Sequence, residues 1–186
     1  MNLLEKIRHS FFSPSENDAP EPASFATRPD TVYAPISGVL VSVQEINDEV
    51  ISSGLLGEGY GIVPVGNTIY APANGRVSTV TVTNHAVGIL TDTGIEVLIH
   101  VGIDTVKMEG KGFVRHVEAN DIVTAGTPLL SFNPETIKSA GHDDMVTVVI
   151  SNPQAFTKIS HVAASNTMVG GRPLVKIGDP LLVTRK

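Results

Sequence analysis

Two histidines in apolar surroundings are the residues of this chain best suited to chemistry. His100 lies in the middle of EVLIHVGIDTV, residues 96–106, and His85 lies earlier, in TNHA. A neutral imidazole is a good nucleophile, and its unperturbed pKa of about 6.5 leaves it mostly neutral at pH 7. Two neighbouring imidazoles suit zinc binding or phosphoryl transfer. In phosphoryl transfer one ring attacks phosphorus and the other donates a hydrogen bond to the transferring oxygens.

The alternation of side chains along a strand predicts which face His100 occupies, because successive residues point to opposite faces. The alternate aliphatic positions would form the core face: Val97, Ile99, Val101 and Ile103. Leu98 and His100 then point away from the main core, and Gly102 leaves room over the backbone.

The segment VTVTNHA, residues 80–86, predicts a second strand in which Thr83 and His85 are neighbours on one face. The Thr83 hydroxyl can hydrogen-bond one ring nitrogen of His85, fix its tautomer and leave the other nitrogen aimed outward. TDTG, residues 91–94, predicts a hairpin turn that brings this strand beside that of His100. The alternative, that His85 is a surface residue at the end of a turn, stays open at this point.

Short β-branched runs separated by Gly, Pro and Asn turns predict the fold that positions these residues. TVYAPISGVLVSV (31–43) and TIYAPANGRVSTV (68–80) form an internal repeat, and Gly-x-Pro-Leu occurs at 126–129, 171–174 and 178–181. We predict an all-β fold, an antiparallel β-sandwich or barrel-like domain over residues 31–186. In NPETIKSAG, residues 133–141, the Asn-Pro start and Gly end predict a short helix. SNPQAF, residues 151–156, repeats the start signal.

Residues 1–30 are predicted to be a flexible N-terminal tail and linker. The apolar residues near the start fall at roughly helical spacing: Leu3, Leu4, Ile7, Phe11 and Phe12. This pattern predicts either a frayed tail or a short amphipathic helix that touches a membrane surface or a partner. Residues 13–30 are rich in proline and acids, which is typical of a solvated linker.

Composition excludes several classes of function. The 186 residues are 41% apolar and 17% charged, which is typical of a globular protein. The net charge of −6 argues against nucleic-acid binding, and the absence of cysteine excludes disulfides and thiolate metal sites. No apolar run approaches the roughly 20 residues of a membrane-spanning helix, and the first residues lack a signal-peptide apolar region. We expect a cytoplasmic protein.

Several motifs together resemble the glucose-family enzyme IIA of the bacterial sugar phosphotransferase system. They are GIEVLIHVGIDTV followed by GKGF, together with TNHA, YAPISG and VVISN, and the resemblance runs from about Thr31 to Ile177. The resemblance implies that His100 accepts a phosphoryl group on Nε2 while the carbonyl of Gly102 holds its Nδ1–H. It also implies that His85 steadies the phosphoryl group and that Thr83 orients His85.

The resemblance further implies a partner-facing surface. Asp104 would be an acidic residue beside the site that either repels a misplaced phosphoryl group or pairs with a cation of a partner. The implied docking ring is apolar: Val50, Ile51, Leu98 and Val106. The implied donor is the histidine-containing phosphocarrier protein, and the implied acceptor is a cysteine of the enzyme IIB domain of a sugar permease.

Other partners and alternative functions follow from the same residues. No cofactor is required, although some relatives bind zinc at a partner interface through the residues matching His85 and His100. The protein could act mainly as a regulatory binding protein for transporters or kinases, and its tail could lie at the inner face of the membrane.

A zinc hydrolase would use His100 and Asp104 as a His-x-x-x-Asp pair but lacks the His-x-His it needs. A biotinyl or lipoyl carrier would use Lys107 but lacks the preceding methionine.

The chain departs from the family pattern in three places. Relatives often have phenylalanines around the site, where this chain has Thr81, Leu98 and Ile51, so partner preference is the property most affected. The segment GHDDM, residues 141–145, replaces a more usual Thr-Pro before VVISN. The C-terminal GDPLLVTRK extends beyond the usual end of the family, and no function is assigned to it.

Overall fold

Antiparallel β-strands supply most of the regular structure. The computed structural model describes residues 19–186. Its strands are β1 (Thr31–Tyr33), β2 (Gly38–Ser42), β3 (Glu58–Pro64), β4 (Thr68–Tyr70), β5 (Gly75–Val80), β6 (Ala86–Leu90), β7 (Glu96–Val101), β8 (Phe113–Arg115), β9 (Ile122–Val123), β10 (Pro128–Phe132), β11 (Val146–Ile150), β12 (Lys158–His161), β13 (Met168–Val169), β14 (Arg172–Val175) and β15 (Pro180–Arg185). The α-helices are α1 (Glu49–Ser52) and α2 (Pro134–Ser139), and single 3-10 turns occupy Val43–Glu45, Thr105–Met108 and Pro153–Ala155.

The strands form one large sheet and two small ones. The large sheet has the order β13-β14-β2-β3-β11-β7-β6-β5-β9, and the small sheets have the orders β1-β15-β12 and β4-β10-β8. Every pairing between strands is antiparallel. The prediction of an all-β antiparallel sandwich is confirmed.

The internal repeat of the sequence is a repeat of structure. Each copy forms a strand, breaks at its proline and continues as a second strand, which gives β1 and β2 in one copy and β4 and β5 in the other. The two breaks bond to each other reciprocally. The amide of Tyr33 donates to the carbonyl of Pro72, and the amide of Tyr70 donates to the carbonyl of Pro35, both at 2.9 Å.

Apolar residues are buried in two separate clusters. The main core contains Val97, Ile99 and Val101 of β7, as their alternation predicted. A smaller cluster on the other side of this sheet contains Val43, Ile46, Ile51 and Val149, with Leu56, Leu98, Ile103 and Met145 packed against it. The placement of Ile103 in the main core is wrong, because β7 ends at Val101 and Gly102 turns the chain with a φ of +79°.

The helices are short and capped by side chains. The side chain of Asn133 accepts a hydrogen bond from the amide of Thr136 at 3.0 Å at the start of α2, as predicted. The second predicted helix is a single 3-10 turn. Sequence patterns did not predict α1, which begins after Asp48 and has only one turn. Within residues 19–186, no helix has the length and apolarity to cross a membrane.

Residues 19–30 contain no helix or strand, yet they contact the sandwich at several points. The amide of Ala23 donates to the carbonyl of Gly126 at 2.9 Å, and the Phe25 ring lies 5.4 Å from that of Tyr33. The hydroxyl of Thr93 donates to the carbonyl of Pro29 at 2.9 Å. The predicted amphipathic segment near the start of the chain lies outside the described residues, and the division at residue 30 stays a prediction.

Candidate functional site

His100 lies near the C-terminal end of β7, on the face opposite the main core. Its backbone pairs with Ala86 of β6 on one side and with Thr147 of β11 on the other. Neighbouring strands therefore place two small side chains beside the imidazole. The ring is partly buried and shares its face with Leu98.

His85 lies in a turn, and not on the strand that the sequence predicted over residues 80–86. β5 ends at Val80 and β6 begins at Ala86, and Asn84 between them has a φ of +57°. The amide of Asn84 donates to the carbonyl of Thr81 at 2.9 Å, which closes the turn. The strand prediction is wrong because valine–threonine alternation imitates a strand until the left-handed Asn84 reverses the chain.

The two imidazoles meet edge to face. Their ring centroids are 4.8 Å apart and their planes are inclined by 81°. The carbonyl of His85 accepts a hydrogen bond from the amide of Val101 at 2.8 Å, which holds the turn against the end of β7. The structure therefore brings together the two histidines that the sequence singled out.

Two hydroxyl groups surround Nδ1 of His85. The Oγ1 atom of Thr83 lies 2.5 Å from Nδ1, and the Oγ1 atom of Thr81 lies 3.4 Å from the same atom. The His85 side chain is buried, with the residue only 6% exposed. Thr83 is thus a direct neighbour of His85, as expected, although a turn and not a strand makes it one.

Burial keeps both imidazoles neutral. It lowers the pKa of His85 from 6.5 to about 4, and repulsion from His100 acts in the same direction. Burial also lowers the pKa of His100, opposed by the backbone of Gly102 and by the negative charge of Asp48. At pH 7 each ring therefore has one free nitrogen lone pair and one N–H donor.

Gly102 turns the chain directly after the strand of His100. Nδ1 of His100 is buried, and within residues 19–186 it makes no hydrogen bond of ordinary geometry, although the backbone of Gly102 is near enough to raise its pKa. A Cβ atom on residue 102 would lie 2.2 Å from Cγ2 of Thr105. Glycine is therefore required here by both space and φ. The role of its carbonyl stays a prediction.

Asp104 is exposed and is paired within the chain. Its Oδ2 lies 2.6 Å from Nζ of Lys107. The hydrogen bond and charge of Lys107 lower the pKa of Asp104, and the charge of His142 adds to this effect. A cation of a partner would therefore have to compete with Lys107 for this carboxylate.

The predicted docking ring divides into exposed and buried members. Val50 of α1 is 50% exposed and Val106 is 53% exposed, whereas Ile51 is 4% exposed. Ile51 belongs to the small cluster, so it supports the ring from beneath and offers no surface to a partner. Val82, at the tip of the His85 turn, is almost fully exposed and was not predicted as a member.

Two further groups lie near His100 or near the backbone that follows it, and the sequence patterns linked neither of them to the site. Asp48 caps α1 by accepting a hydrogen bond from the amide of Ile51 at 3.0 Å, and its charge raises the pKa of His100. An aspartate before a short polar–apolar run is an N-cap signal that could have identified it. The second group is the segment 141–145, which bonds to Gly102 and Ile103.

The residues available for a metal are the two histidines. Within residues 19–186 no group of three or more His, Asp or Glu side chains could hold a metal ion. Zinc usually takes four ligands, so a zinc ion here would need ligands from a partner or from water. A zinc hydrolase of the kind considered from the sequence would require a third protein ligand, which this part of the chain does not place at the pair.

Comparison with known proteins agrees with the geometry. The family model described as the phosphoenolpyruvate-dependent sugar phosphotransferase system, EIIA 1, matches residues 30–156. A glucose-specific EIIA component of Halalkalibacterium halodurans is 34% identical over 163 residues, which covers 88% of this chain and 91% of that protein. The structure of glucose permease IIA from Mycoplasma capricolum matches with a TM-score of 0.70 and 28% identity, covering 87% of this chain and 99% of that one.

Larger proteins contain a similar segment. The beta-glucoside-specific EIIBCA component of Bacillus subtilis is 39% identical over 137 residues, which is 74% of this chain and 22% of that protein. The matched part of this chain thus spans less than a quarter of the length of that relative.

Proposed function

Because the chain belongs to the EIIA 1 family of the phosphoenolpyruvate-dependent sugar phosphotransferase system, we propose that His100 carries a phosphoryl group between two proteins of that system. The protein is a phosphotransferase component with a phosphoryl carrier role in sugar uptake. The finer proposal is that the histidine-containing phosphocarrier protein is the donor. The acceptor is a cysteine of an enzyme IIB domain.

The observation that carries this proposal is the pair of neutral imidazoles on the outer face of the sheet, whose ring centroids are 4.8 Å apart. In the first step the Nε2 lone pair of His100 attacks phosphorus. The bond between phosphorus and the donor's histidine breaks, and the donor leaves as a neutral imidazole. In the second step the thiolate of enzyme IIB attacks phosphorus, the P–N bond breaks, and His100 recovers its lone pair.

His85 serves as a fixed hydrogen-bond donor in this proposal. The Thr83 hydroxyl, 2.5 Å from Nδ1, donates to that nitrogen and so keeps the proton of His85 on Nε2. The Nε2–H group then donates to a phosphoryl oxygen as negative charge shifts during transfer. A donor that is already fixed by neighbouring groups stabilises the transition state without reorganising.

The surroundings of the pair support transfer between proteins instead of hydrolysis. Val50, Val82 and Val106 are exposed apolar residues on the segments that flank the pair. A partner that covers them would exclude water from the phosphoryl group and hold the two reacting atoms in line. The same surface could serve regulated transporters or kinases, and zinc bound by His85 and His100 would belong to such an interface. A cytoplasmic location and contact of the tail with a membrane remain predictions.

The test is to incubate the chain with phosphoenolpyruvate and the two general phosphotransferase proteins, and to map any added phosphate by mass spectrometry. We expect one phosphate on His100 and none in the His100→Ala variant. The His85→Gln variant should accept the phosphoryl group but pass it poorly to enzyme IIB. His116→Gln is the control, because His116 bonds to Ser131 away from the pair. Phosphate on another residue, or normal transfer by His85→Gln, would contradict the assigned roles.

A further inference from the structure

The segment 141–145 bonds to the backbone that follows His100. The carbonyl of Met145 accepts a hydrogen bond from the amide of Gly102 at 2.7 Å, and the carbonyl of Asp143 accepts one from the amide of Ile103 at 3.0 Å. These bonds extend the pairing of β11 with β7 beyond Val101, where the strand ends. The position of the segment therefore determines where the peptide of Gly102 lies.

An ion pair fixes this segment to α2. Asp144 is 7% exposed, and its Oδ2 lies 3.1 Å from Nζ of Lys138. A carboxylate in such a place needs a partner, because an unpaired buried charge is strongly destabilising. Lys138 belongs to a helix that is itself anchored by Ile137, which is fully buried. Asp143 strengthens the bend of the segment, since its Oδ1 accepts from the amide of Met145 at 2.9 Å.

Gly102 is closely packed against this segment. A Cβ atom at residue 102 would lie 2.2 Å from Cγ2 of Thr105 and 2.8 Å from the carbonyl oxygen of Asp143. The glycine backbone is thus enclosed between the 3-10 turn that follows it and the segment 141–145. Thr105 is held in turn, because its hydroxyl donates to the carbonyl of Val101 at 2.5 Å.

We propose that Lys138 and Asp144 are positioning residues for phosphoryl transfer. Their ion pair holds the segment 141–145, and the segment keeps the backbone of Gly102 near Nδ1 of His100. In the reactive arrangement the carbonyl of Gly102 accepts a hydrogen bond from the Nδ1–H group, which leaves the Nε2 lone pair free to attack. The inference rests on the proposed function of His100, and it assigns a role to the segment in which the sequence departs from the family pattern.

The test uses Asp144→Asn, Lys138→Met and the double variant. Each single change should slow phosphoryl acceptance by His100 about tenfold, because small misplacements of a reacting group have effects of that size. The double variant should be no slower than the slower single variant, since the two residues act as one unit. Lys138→Arg should accept the phosphoryl group at the wild-type rate, because it keeps the positive charge. Glu118→Gln is the matched control, because it breaks the exposed Arg115–Glu118 pair instead.

A second measurement separates positioning from a general loss of stability. Nitrogen-15 NMR of the imidazole reports which ring nitrogen of His100 carries the proton. We expect a smaller fraction of the Nδ1–H tautomer in Asp144→Asn than in the wild type, at a temperature where circular dichroism shows both to be folded. The Glu118→Gln control should match the wild type.

The outcomes for the proposed function and for this inference can be told apart. If wild-type protein takes no phosphoryl group on His100, the proposed function fails, while the NMR comparison still decides whether the ion pair positions the ring. If folded Asp144→Asn keeps both the wild-type acceptance rate and the wild-type tautomer, the positioning role is overturned. Effects of the two single variants that simply add in the double variant would also overturn it.

Discussion

Replacing His85 with glutamine should remove a large part of the acid sensitivity of this protein. Burial lowers the pKa of His85 from 6.5 to about 4, so the folded protein resists protonation at a position where the unfolded chain does not. Between pH 6.5 and pH 4 the unfolded state therefore binds more protons. The stability provided by neutral His85 is complete above pH 6.5 and is lost progressively as the pH falls toward 4.

The size of the effect follows from the two pKa values. One pKa unit corresponds to about 1.36 kcal/mol. Protonation linked to His85 should therefore make the unfolding free energy of the wild type about 2 kcal/mol lower at pH 5 than at pH 7.5. Glutamine has no proton to gain in this range. Between pH 7.5 and pH 5 the unfolding free energy of the variant should therefore fall by about 2 kcal/mol less than that of the wild type. Contributions from the histidines outside the pair largely cancel when the two proteins are compared.

The assay is urea unfolding at pH 7.5 and pH 5.0, followed by circular dichroism because the chain has no tryptophan. The quantity of interest is the change in unfolding free energy between the two pH values, and not the free energy at either one. Lys158→Gln, an exposed change on β12, is the control and should behave as the wild type. Equal acid sensitivity in His85→Gln and the wild type would refute the claim that burial holds His85 neutral.

Three further predictions concern the surroundings of the pair. Thr83→Val removes the hydroxyl 2.5 Å from Nδ1 of His85 and should slow phosphoryl transfer to enzyme IIB about tenfold in a quenched time course; an unchanged rate would exclude the orienting role. Gly102→Ala forces a Cβ atom to within 2.2 Å of Thr105 at a φ of +79°, and should lower the free energy of unfolding by about 3 kcal/mol. A calorimetric melting temperature equal to that of the wild type would contradict this. Val106→Ser should leave the melting temperature unchanged but raise the donor concentration for half-maximal rate about fivefold, since Val106 is exposed; unaltered donor dependence would remove it from the docking surface.

The repeat and its turns could be predicted because their signals are local. Pro35 and Pro72 cannot continue a ladder, and the glycines of Gly-x-Pro-Leu adopt positive φ wherever they stand. Each of the three copies of that motif leads into a strand, namely β10, β14 and β15. Proline reveals its local structure because its φ is fixed, and glycine does so because it readily accepts the positive φ that other residues avoid.

The errors occurred where a short pattern had two meanings. Valine and threonine alternate at residues 80–83 as they would in a strand, but the chain reverses at Asn84. Helix α1 has four residues, too few for a helical period to be visible. The pairing of Lys107 with Asp104 depends on a 3-10 turn that brings the two side chains together.

The amino-acid pattern alone was sufficient to predict an all-β fold and to predict that His100 points away from the aliphatic face of its strand. Both follow from the two-residue period of an extended backbone, which each residue expresses locally. Tertiary contacts bring the two imidazole centroids to 4.8 Å from each other, keep both rings neutral, bury Ile51, and pair Lys138 with Asp144 in the segment that bonds to Gly102. Those features depend on β7 lying between β6 and β11, and on charges and burial contributed by residues distant in the chain. No local period encodes them.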